Sequence, residues 1–363
     1  MSSGPWYLSA SDVEAAMPPV GTRIKLAERT MVALVGDAEL PPKIGVHPRP
    51  VGSFAHAMPA SLRPGRTAPD RDEDPRAAGD RAAGAAGDPV DDLLGIKWVT
   101  GFPDNRRRGL PAISAVVVLS DPSTGRPLAI LDGGPITAQR TAAVSGVALA
   151  RFAAAVAGAG TVAGPPQAGH PPTIALIGAG VQGASHLEVI GHVLSGASLL
   201  VHDRHAERAA ALTEIARRTA GIAQAEAVGA AREATMAADI VITGVSFADP
   251  SERQVMTGDW LRPDALVVPI DYATMCSAEV ARDAALFLVD ERGQFLANRA
   301  AGQFDGFPDP SATFGEAILA DTTRPAAGRV VAMHLGVGLA DVVFADAIVR
   351  RAQAEGLGVR LPE

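Results

Sequence analysis

A glycine-rich loop in the middle of the chain is the feature that most constrains its fold. Residues 176–186 read LIGAGVQGASH and place Gly178, Gly180 and Gly183 in the spacing G-x-G-x-x-G. The loop directly follows the apolar run TIALI and precedes ASHLEVIGHVL, which has a helical pattern. In such a strand–loop–helix unit the glycines permit a tight turn, a close approach of the backbone to a pyrophosphate, and close packing of helix on strand. The sequence therefore predicts a dinucleotide-binding loop.

The next apolar run supplies the acidic residue that accompanies such a loop. Asp203 ends SLLVHD, near the spacing of roughly 20 residues at which an acid accepts the hydroxyls of the adenosine ribose. Val181 and Gln182 begin the helix and are predicted to contact the cofactor together with the glycines. A carboxylate at Asp203 repels a 2′-phosphate, which favours NAD. Arg204 or Arg208 could instead pair with that phosphate, so NADP stays an alternative.

The apolar runs after position 172 predict the fold class. TIALIGAG, ASLLVHDR, ADIVITGVS and ALVVPIDY are short apolar runs that lead into Gly, Asp or Ser, and helical stretches such as ERAAALTEIARRTA separate some of them. This alternation is typical of a doubly wound α/β domain with a parallel sheet. Ser246 ends the third run, at the strand edge where such sheets bind ligands, and is predicted to contact the cofactor. A plain strand-ending serine is the alternative.

Two polar segments interrupt the ordered pattern. Residues 63–92 are rich in Gly, Pro and charge and have almost no large apolar side chain, so we expect a disordered surface excursion. Gly158–Pro172 is rich in Gly and Pro and is the best candidate for a domain linker. Between them, AISAVVVLSDPSTGRPLAILDG predicts a β-hairpin, and TAQRTAAVSGVALARFAAAVA predicts a helix rich in small residues.

Composition excludes several classes of protein. The net charge of -8 argues against a nucleic-acid partner, and no apolar run reaches the ~18 to 20 residues of a membrane span. The single cysteine, Cys276, rules out an intrachain disulfide and agrees with a reducing compartment; it is expected to be a small buried side chain. The first residues lack the basic and apolar regions of a secretory signal. No metal-binding, nucleophile-elbow or P-loop motif is present. We expect a cytoplasmic enzyme without metal.

The segments before the glycine loop carry a family resemblance. GIKWVTGFPDN, then GLPAISAVVVLSDPSTGRPLAILDGGPITAQRTAAVSGVAL, and then the dinucleotide loop resemble the ornithine cyclodeaminase and mu-crystallin family, most specifically around Arg140. The resemblance implies a homodimer whose Rossmann domain, residues 151–321, is inserted in a second α/β domain for substrate binding and dimerisation. That second domain is built from residues 1–150 and 322–363. The glycine loop is then in mid-chain because the substrate domain comes first.

The resemblance assigns roles to two cations. Lys97, in LLGIKWVTG, aligns with the family's substrate-binding lysine; beside a substrate amine its charge also lowers the pKa of that amine. Arg140 aligns with an arginine that touches both substrate and cofactor, and its planar fork suits a carboxylate. The plain alternatives are a solvated lysine on an outward strand face and a surface arginine at a helix start.

Further candidate site residues lie in segments that differ from the family's motifs or match them only roughly. Lys43 stands where the cyclodeaminases have an arginine for the substrate carboxylate, and HAMPASL at 56–62 resembles the strand-end motif that follows. Asp271 corresponds to the family's catalytic aspartate, but DYATMCSAEV lacks the Pro-Gly-Lys segment usual after it. Gly336 and Val337 fall near positions that contact cofactor and substrate in the returning C-terminal segment. A solvated lysine, a turn-capping aspartate and an ordinary glycine turn are the alternatives.

The implied activity is hydride transfer at the α-carbon of an amino or imino acid with NAD or NADP. In the cyclodeaminase form, a lyase, oxidation of ornithine or lysine is followed by attack of the terminal amine, loss of ammonia and return of the hydride. Lys97 and Asp271 would be catalytic, and Lys43, Lys97, Arg140 and Val337 would bind the substrate. A net imine reductase or amino-acid dehydrogenase, both oxidoreductases of amino acid metabolism, and a non-catalytic binding protein like mu-crystallin are the alternatives.

Overall fold

The structure is a computed structural model that describes residues 4–65, 91–153 and 171–362. The proposed excursion at 63–92 and the proposed linker at 158–172 lie mostly outside the described residues. No described helix combines the length and apolar character needed to cross a membrane.

The secondary structure alternates between strands and helices along most of the chain. The strands are β1 (Trp6–Leu8), β2 (Ala38–Glu39), β3 (Ile44–Val46), β4 (Phe54–Leu62), β5 (Leu93–Gly101), β6 (Ile113–Ser120), β7 (Pro127–Asp132), β8 (Thr173–Ile177), β9 (Ala197–His202), β10 (Ile222–Ala227), β11 (Ile240–Thr243), β12 (Leu266–Pro269), β13 (Leu286–Val289), β14 (Ala312–Thr313), β15 (Val330–Met333) and β16 (Val359–Arg360). The helices are α1 (Ala10–Ala15), α2 (Val20–Ala33), α3 (Gly133–Phe152), α4 (Val181–Val193), α5 (Ala206–Ala216), α6 (Ala231–Ala237), α7 (Ala278–Arg282), α8 (Arg292–Ala300), α9 (Phe314–Leu319) and α10 (Gly338–Glu355).

The first sheet is built mainly from the chain before position 133. Its strand order is β16-β1-β7-β6-β5-β4-β2, with β3 paired on β4, and β4 to β7 run antiparallel. The predicted hairpin is the β6–β7 pair. Side chains alternate along β5, where Gly95, Lys97 and Val99 face the core while Leu94 and Trp98 face away from it. Lys97 is therefore on the buried face, with the core.

The second sheet is parallel and confirms the predicted α/β architecture. Its order is β10-β9-β8-β11-β12-β15-β13-β14, so strand β8, which leads into the glycine loop, lies inside the sheet. The four predicted apolar runs are β8, β9, β11 and β12; β8, β11 and β12 are almost entirely buried because both faces are covered, whereas buried residues alternate with half-buried ones along β9. The predicted boundary at 321 stays a prediction; the sheet also takes in β15 from beyond it.

Helix α3 lies between the two sheets. Asp132 caps its N-terminus by accepting a hydrogen bond from the Gly134 amide at 2.8 Å. Small residues such as Ala142 and Gly146 let neighbours approach closely: a Cβ at Gly146 would come within 2.8 Å of Val189 on α4. The helix packs on α2 and α4 and also meets β6, β12 and β15. It therefore connects the first sheet to the second.

Candidate active site

The glycine loop has the backbone geometry of a phosphate cradle. Gly178 has φ of +110°, and a Cβ there would come within 2.5 Å of the Gly244 carbonyl oxygen. A Cβ at Gly183 would overlap the Gly178 carbonyl, so the helix can approach the strand only because position 183 is glycine. At Gly180 nothing lies within 4 Å of an added Cβ, and no side chain caps helix α4. The N-terminus of α4 thus has open space for an anion.

Asp203 is held at the end of β9, beside the loop. One carboxylate oxygen accepts from the Ala179 amide and the other from the His205 amide, both at 2.9 Å. An ionised carboxylate offers about four acceptor positions, so its remaining lone pairs can accept hydroxyl groups. The residues present therefore fit a dinucleotide, with phosphates at α4 and the adenosine ribose at Asp203.

A buried carboxylate joins the two cations that the family resemblance singles out. Lys97 Nζ lies 2.8 Å from Asp341 Oδ2, and Arg140 Nε lies 3.3 Å from Asp341 Oδ1. Asp341 is fully buried, and Lys97 and Arg140 are 1% and 6% exposed. Two cations on one carboxylate leave a positive excess in a site of low dielectric. The cluster can therefore attract an anion such as a substrate carboxylate.

Burial also shifts the proton equilibrium of Lys97. Burial lowers the pKa of Lys97 to about 7, because the charged ammonium is removed from water; Asp341 opposes this shift, and Arg140 adds to it. Nζ also lies 3.4 Å from the Thr137 hydroxyl. One of its three N–H groups then remains for a ligand.

The segment after β15 is fixed by hydrogen bonds on every side. The amides of Leu335 and Gly336 donate to Asp290 Oδ2 at 2.9 and 2.7 Å, and the Gly336 carbonyl accepts from Gln294 Nε2 at 3.2 Å. Burial raises the pKa of Asp290 to about 6, opposed by Lys43 and by the Gly336 amide. Gly336 has φ of +79° and packs directly against the Arg140 guanidinium. The segment therefore fixes where Arg140 can lie.

We expect Gly336→Ala to lower both stability and turnover. The left-handed backbone at Gly336 penalises any side chain by roughly 1–2 kcal/mol, and the new Cβ would overlap Arg140 and displace it. Gly302→Ala is the matched control, because Gly302 has φ of +83° with nothing within 4 Å of an added Cβ. Thermal unfolding should show a loss in both variants, whereas steady-state kinetics should show a loss of kcat/KM in Gly336→Ala alone. Equal kinetics in the two variants would contradict a role for the Arg140 contact.

Asp271 is a second buried carboxylate, placed after β12 at the carboxyl edge of the parallel sheet. It is 2% exposed and accepts from the Thr243 hydroxyl at 3.1 Å and from the Val245 amide at 3.2 Å. Burial raises the pKa of Asp271 to about 7, and the two hydrogen bonds only partly oppose this. A carboxyl group that titrates near neutrality can donate and accept a proton at physiological pH.

Lys43 reaches the same edge from the first sheet. Its Nζ donates to the Tyr272 hydroxyl and to the Leu335 carbonyl, each at 2.9 Å. These contacts bring position 43 next to the residue that follows Asp271 and to the segment that holds Arg140. His56, from the HAMPASL motif, is half-buried and stacks on Phe54; burial and then Lys43 lower the pKa of His56 to about 4, so the ring is neutral.

A chain of buried hydrogen bonds lies behind the site. His186 Nδ1 contacts the Gln182 carbonyl at 2.6 Å, so Nδ1 carries the hydrogen. Burial lowers the pKa of His186 to about 4, so its Nε2 accepts from the Ser145 hydroxyl at 2.8 Å. Ser145 Oγ in turn accepts from His334 Nε2 at 2.9 Å. The chain thus connects the glycine loop, helix α3 and the residue that precedes Leu335.

The remaining predicted residues differ in their exposure to solvent. Ser246 is exposed in the loop after β11, and Val181 is 72% exposed at the start of α4. Val337 is 1% exposed and belongs to the hydrophobic core, so its side chain is turned away from solvent. Cys276 is fully buried, and burial raises the pKa of its thiol, which agrees with a structural role. Among the described residues no group of His, Cys, Asp and Glu could hold a metal ion.

Three residues of the site were missed by sequence reasoning. Asp341 is the only acidic residue within the apolar segment GVGLADVVFA. Because a buried charge requires a partner, its position there could have indicated a buried ion pair. Asp290 ends the apolar run LFLV at a strand edge, the same signal that identified Asp271. Tyr272 gives no comparable signal, because only the folded chain brings it to Lys43.

Comparison with known proteins agrees with this geometry. A model of the ornithine cyclodeaminase/mu-crystallin family matches residues 79–287. The nodulation efficiency protein NfeD of Rhizobium meliloti is 29% identical over 358 residues, which cover 97% of this chain and 97% of that protein. A delta(1)-pyrroline-2-carboxylate reductase of Bacillus cereus is 27% identical over 279 residues, which cover 74% of this chain and 81% of that protein.

The fold has a close counterpart among solved structures. Delta(1)-pyrroline-2-carboxylate reductase of Thermococcus litoralis, in complex with NADH and L-proline, superposes with a TM-score of 0.77 at 24% identity. The superposition covers 98% of this chain and 100% of the other. The two chains therefore share the architecture of both sheets.

Proposed function

Because the chain belongs to the ornithine cyclodeaminase/mu-crystallin family, we propose that it is an NAD-dependent oxidoreductase acting at the α-carbon of a cyclic imino acid. The observation that carries the proposal is that contacts link three features: the glycine loop, the buried cations on Asp341, and the proton-carrying Asp271. The loop reaches Asp271 because Gly178 packs on Gly244, next to the Val245 amide that donates to Asp271. The cation cluster is linked through Lys43, which donates to the residue after Asp271 and to the carbonyl of the residue before the glycine that packs on Arg140. A buried carboxyl group that titrates near neutrality at the carboxyl edge of the parallel sheet favours an enzyme over a binding protein.

The cofactor would be held by the glycine loop and Asp203. The first turn of α4 would receive the pyrophosphate, and Asp203 would accept the ribose hydroxyls, which favours NAD; Arg204 and Arg208 keep NADP as the alternative. When bound, the nicotinamide supplies or accepts a hydride at the substrate's α-carbon.

The chain's own residues orient the substrate and move its proton. Nε of Arg140 is engaged by Asp341, so its two Nη groups remain for a carboxylate. Lys43 and the third N–H of Lys97 add charge at the same place. Asp271 in its protonated form would protonate the imine nitrogen of the substrate, and in the reverse direction its carboxylate would take that proton back from the iminium nitrogen.

Net reduction is the first candidate because the Bacillus cereus relative, which covers most of this chain, is a pyrroline-2-carboxylate reductase. Cyclodeamination of ornithine or lysine is the second candidate. It is favoured by the presence of two buried groups that exchange protons near neutrality, Lys97 and Asp271, because release of ammonia requires several proton transfers.

The two candidates are separated by following ammonia and reduced nicotinamide together. The purified protein would be given Δ1-pyrroline-2-carboxylate or Δ1-piperideine-2-carboxylate with NADH or NADPH, and separately ornithine or lysine with NAD. Steady consumption of NADH with the imines is the expected result. Ammonia release without accumulation of NADH would indicate cyclodeamination instead. Absence of turnover in every mixture would contradict an enzymatic function with these substrates, and tighter binding of NADPH than NADH would contradict the cofactor preference.

A homodimer is proposed as the assembly. The face of the first sheet opposite α10 exposes Leu94 and Trp98 of β5 by 36% and 44% in the described chain. Exposed large apolar side chains on a sheet face favour an association surface there. We expect a dimer in light scattering after size exclusion, and a monomer for Trp98→Glu. A monomeric wild-type protein would contradict the proposal.

A further inference from the structure

Tyr272 has a backbone conformation that its side chain disfavours. Its φ is +58°, in the left-handed region that bulky residues rarely occupy. Such conformations persist where the surroundings hold them, and they concentrate at functional sites. Here the ring packs between Phe247 and Phe304, with ring centroids 5.1 and 5.7 Å away. The aromatic neighbours therefore fix the direction in which the Tyr272 hydroxyl points.

That hydroxyl is directed at Lys43. Nζ of Lys43 donates to the Tyr272 hydroxyl and to the Leu335 carbonyl, each at 2.9 Å, and lies 5.6 Å from the centre of the Tyr272 ring. An ammonium has three N–H groups, so one remains. In the described part of the chain no carboxylate lies within ion-pair distance of Nζ; the buried carboxylates of the site pair with Lys97, with Arg140 and with backbone amides. Among the described residues Lys43 is thus a positioned cation with no carboxylate in direct contact, and the buried Asp290 acts on it only from beyond ion-pair distance.

A lysine requires this positioning more than an arginine does. Its ammonium is a point charge on a flexible four-carbon stem, and ordering that stem costs conformational entropy. The two places where the sequence departs from the family pattern, position 43 and the segment after Asp271, meet in this contact. The hydroxyl of Tyr272 therefore compensates for the fork that a lysine lacks.

We propose that Tyr272 is a positioning residue that holds Lys43 so that its remaining N–H faces the carboxylate of the substrate. The inference rests on the proposed function, because it takes the substrate to be a cyclic imine with a carboxylate. Tyr272 acts through Lys43 and through no step of the chemistry. Its loss should therefore weaken binding of carboxylate ligands and leave the turnover of bound substrate nearly unchanged.

The first experiment tests the hydrogen bond between Lys43 and Tyr272 without catalytic turnover. Lys43 is labelled with limiting acetic anhydride, and the labelled peptide is quantified by mass spectrometry in wild type, Tyr272→Phe and Tyr7→Phe. Tyr7, the other tyrosine of the chain, is 41% exposed on β1 and serves as the matched control. We expect Tyr272→Phe to raise the labelling rate of Lys43 by about threefold, because loss of the hydrogen bond to the Tyr272 hydroxyl frees the flexible lysine side chain to reach the reagent. Unchanged labelling would overturn the proposal.

The second experiment tests the role of the carboxylate. Pyrrole-2-carboxylate, a planar and non-nucleophilic analogue of the imine, should protect Lys43 from labelling in wild type, and pyrrole-2-carboxamide should not. In Tyr272→Phe protection should need about tenfold more ligand, since a charge-assisted hydrogen bond is weakened. Protection by the carboxamide, or equal protection in both proteins, would contradict the inference.

Kinetics supply the readout that a merely structural role would not produce. With an imine that the wild type reduces, Tyr272→Phe should raise KM about tenfold and change kcat by less than about twofold. In a Lys43→Met background the same substitution should add nothing, because the two residues act together. Additive effects would overturn the inference. If the wild type reduces no imine, the proposed function is contradicted. The labelling experiments would still test whether Tyr272 positions Lys43.

Discussion

Replacement of Asp271 by asparagine should lower kcat/KM for imine reduction by about 10² to 10⁴, the usual contribution of a positioned proton donor. The fold should tolerate the change. Asparagine has the same shape, its carbonyl can accept from the Val245 amide, and its amide can donate to the Thr243 hydroxyl. NADH binding, measured by fluorescence titration, should stay within about twofold of wild type, because the loss lies in proton transfer and outside the cofactor site. Asp283→Asn is the matched control, because Asp283 is an exposed carboxylate at the end of helix α7.

The rate of imine reduction should also depend on pH through the titration of Asp271. Burial raises the pKa of Asp271 from 3.8 to about 7, so the folded protein holds this proton between those values. Reduction that uses the proton should be constant below about pH 7 and fall above it. The Asn variant should lack the contribution of Asp271 to this step and retain the pH dependence of the substrate and of Lys97. A step of equal size in wild type and variant would assign the titration to another group.

Replacement of Asp341 by asparagine should lower the free energy of unfolding by about 3–5 kcal/mol, because it leaves two buried cations without a counter-ion. Lys97 and Arg140 both pair with this one carboxylate, and they are only 1% and 6% exposed. Asp346→Asn on the same helix is the control, since Asp346 pairs with the exposed Arg350 and should contribute less than about 1 kcal/mol. Denaturant unfolding would measure both. Similar losses in the two variants would show that the cluster is not a stabilising centre.

The loss of unfolding free energy in Asp341→Asn should also depend on pH. Burial lowers the pKa of Lys97 from 10.5 to about 7, and removal of Asp341 lowers it further. Above about pH 7 Lys97 is neutral in both folded proteins, so both gain stability equally as pH rises and their difference is constant. Below pH 7 the wild type holds the Lys97 proton and the variant binds it less readily, so the part of the deficit that comes from Lys97 should grow as pH falls from about 7. A deficit that does not change from neutral to acidic pH would contradict burial of a charged Lys97 as its cause.

The dinucleotide half of the fold could be predicted because its signals are local. The glycine spacing and the strand-ending residues are readable within single runs, and parallel strands place those ends at one edge. The roles of Lys97, Arg140, Lys43 and Asp271 came from resemblance and stay predictions. The structure places the first two on one carboxylate and brings Lys43 next to the segment that holds Arg140.

What the sequence could not show is which residues pair over long distances. Asp341 lies 201 positions from Arg140, and helical periodicity puts it on a buried face without naming a partner. The first sheet is another case: β1 has three residues and pairs parallel with β7, antiparallel with β16. A strand so short has no periodicity to read, and its partners depend on tertiary packing. The contact of Lys43 with Tyr272 also exists only after the two halves meet.

Helix α3 has a mechanical consequence for how ligands enter. It is buried along most of its length and packs simultaneously on α2, α4 and strands of both sheets. A hinge rotation of one half against the other would have to break this shared core, whose interior is close-packed and resists continuous deformation. Access then depends on displacement of surface segments such as the exposed loop at Ser246. Small-angle scattering of the protein should therefore give the same radius of gyration with and without cofactor, unlike enzymes that close as a clamshell.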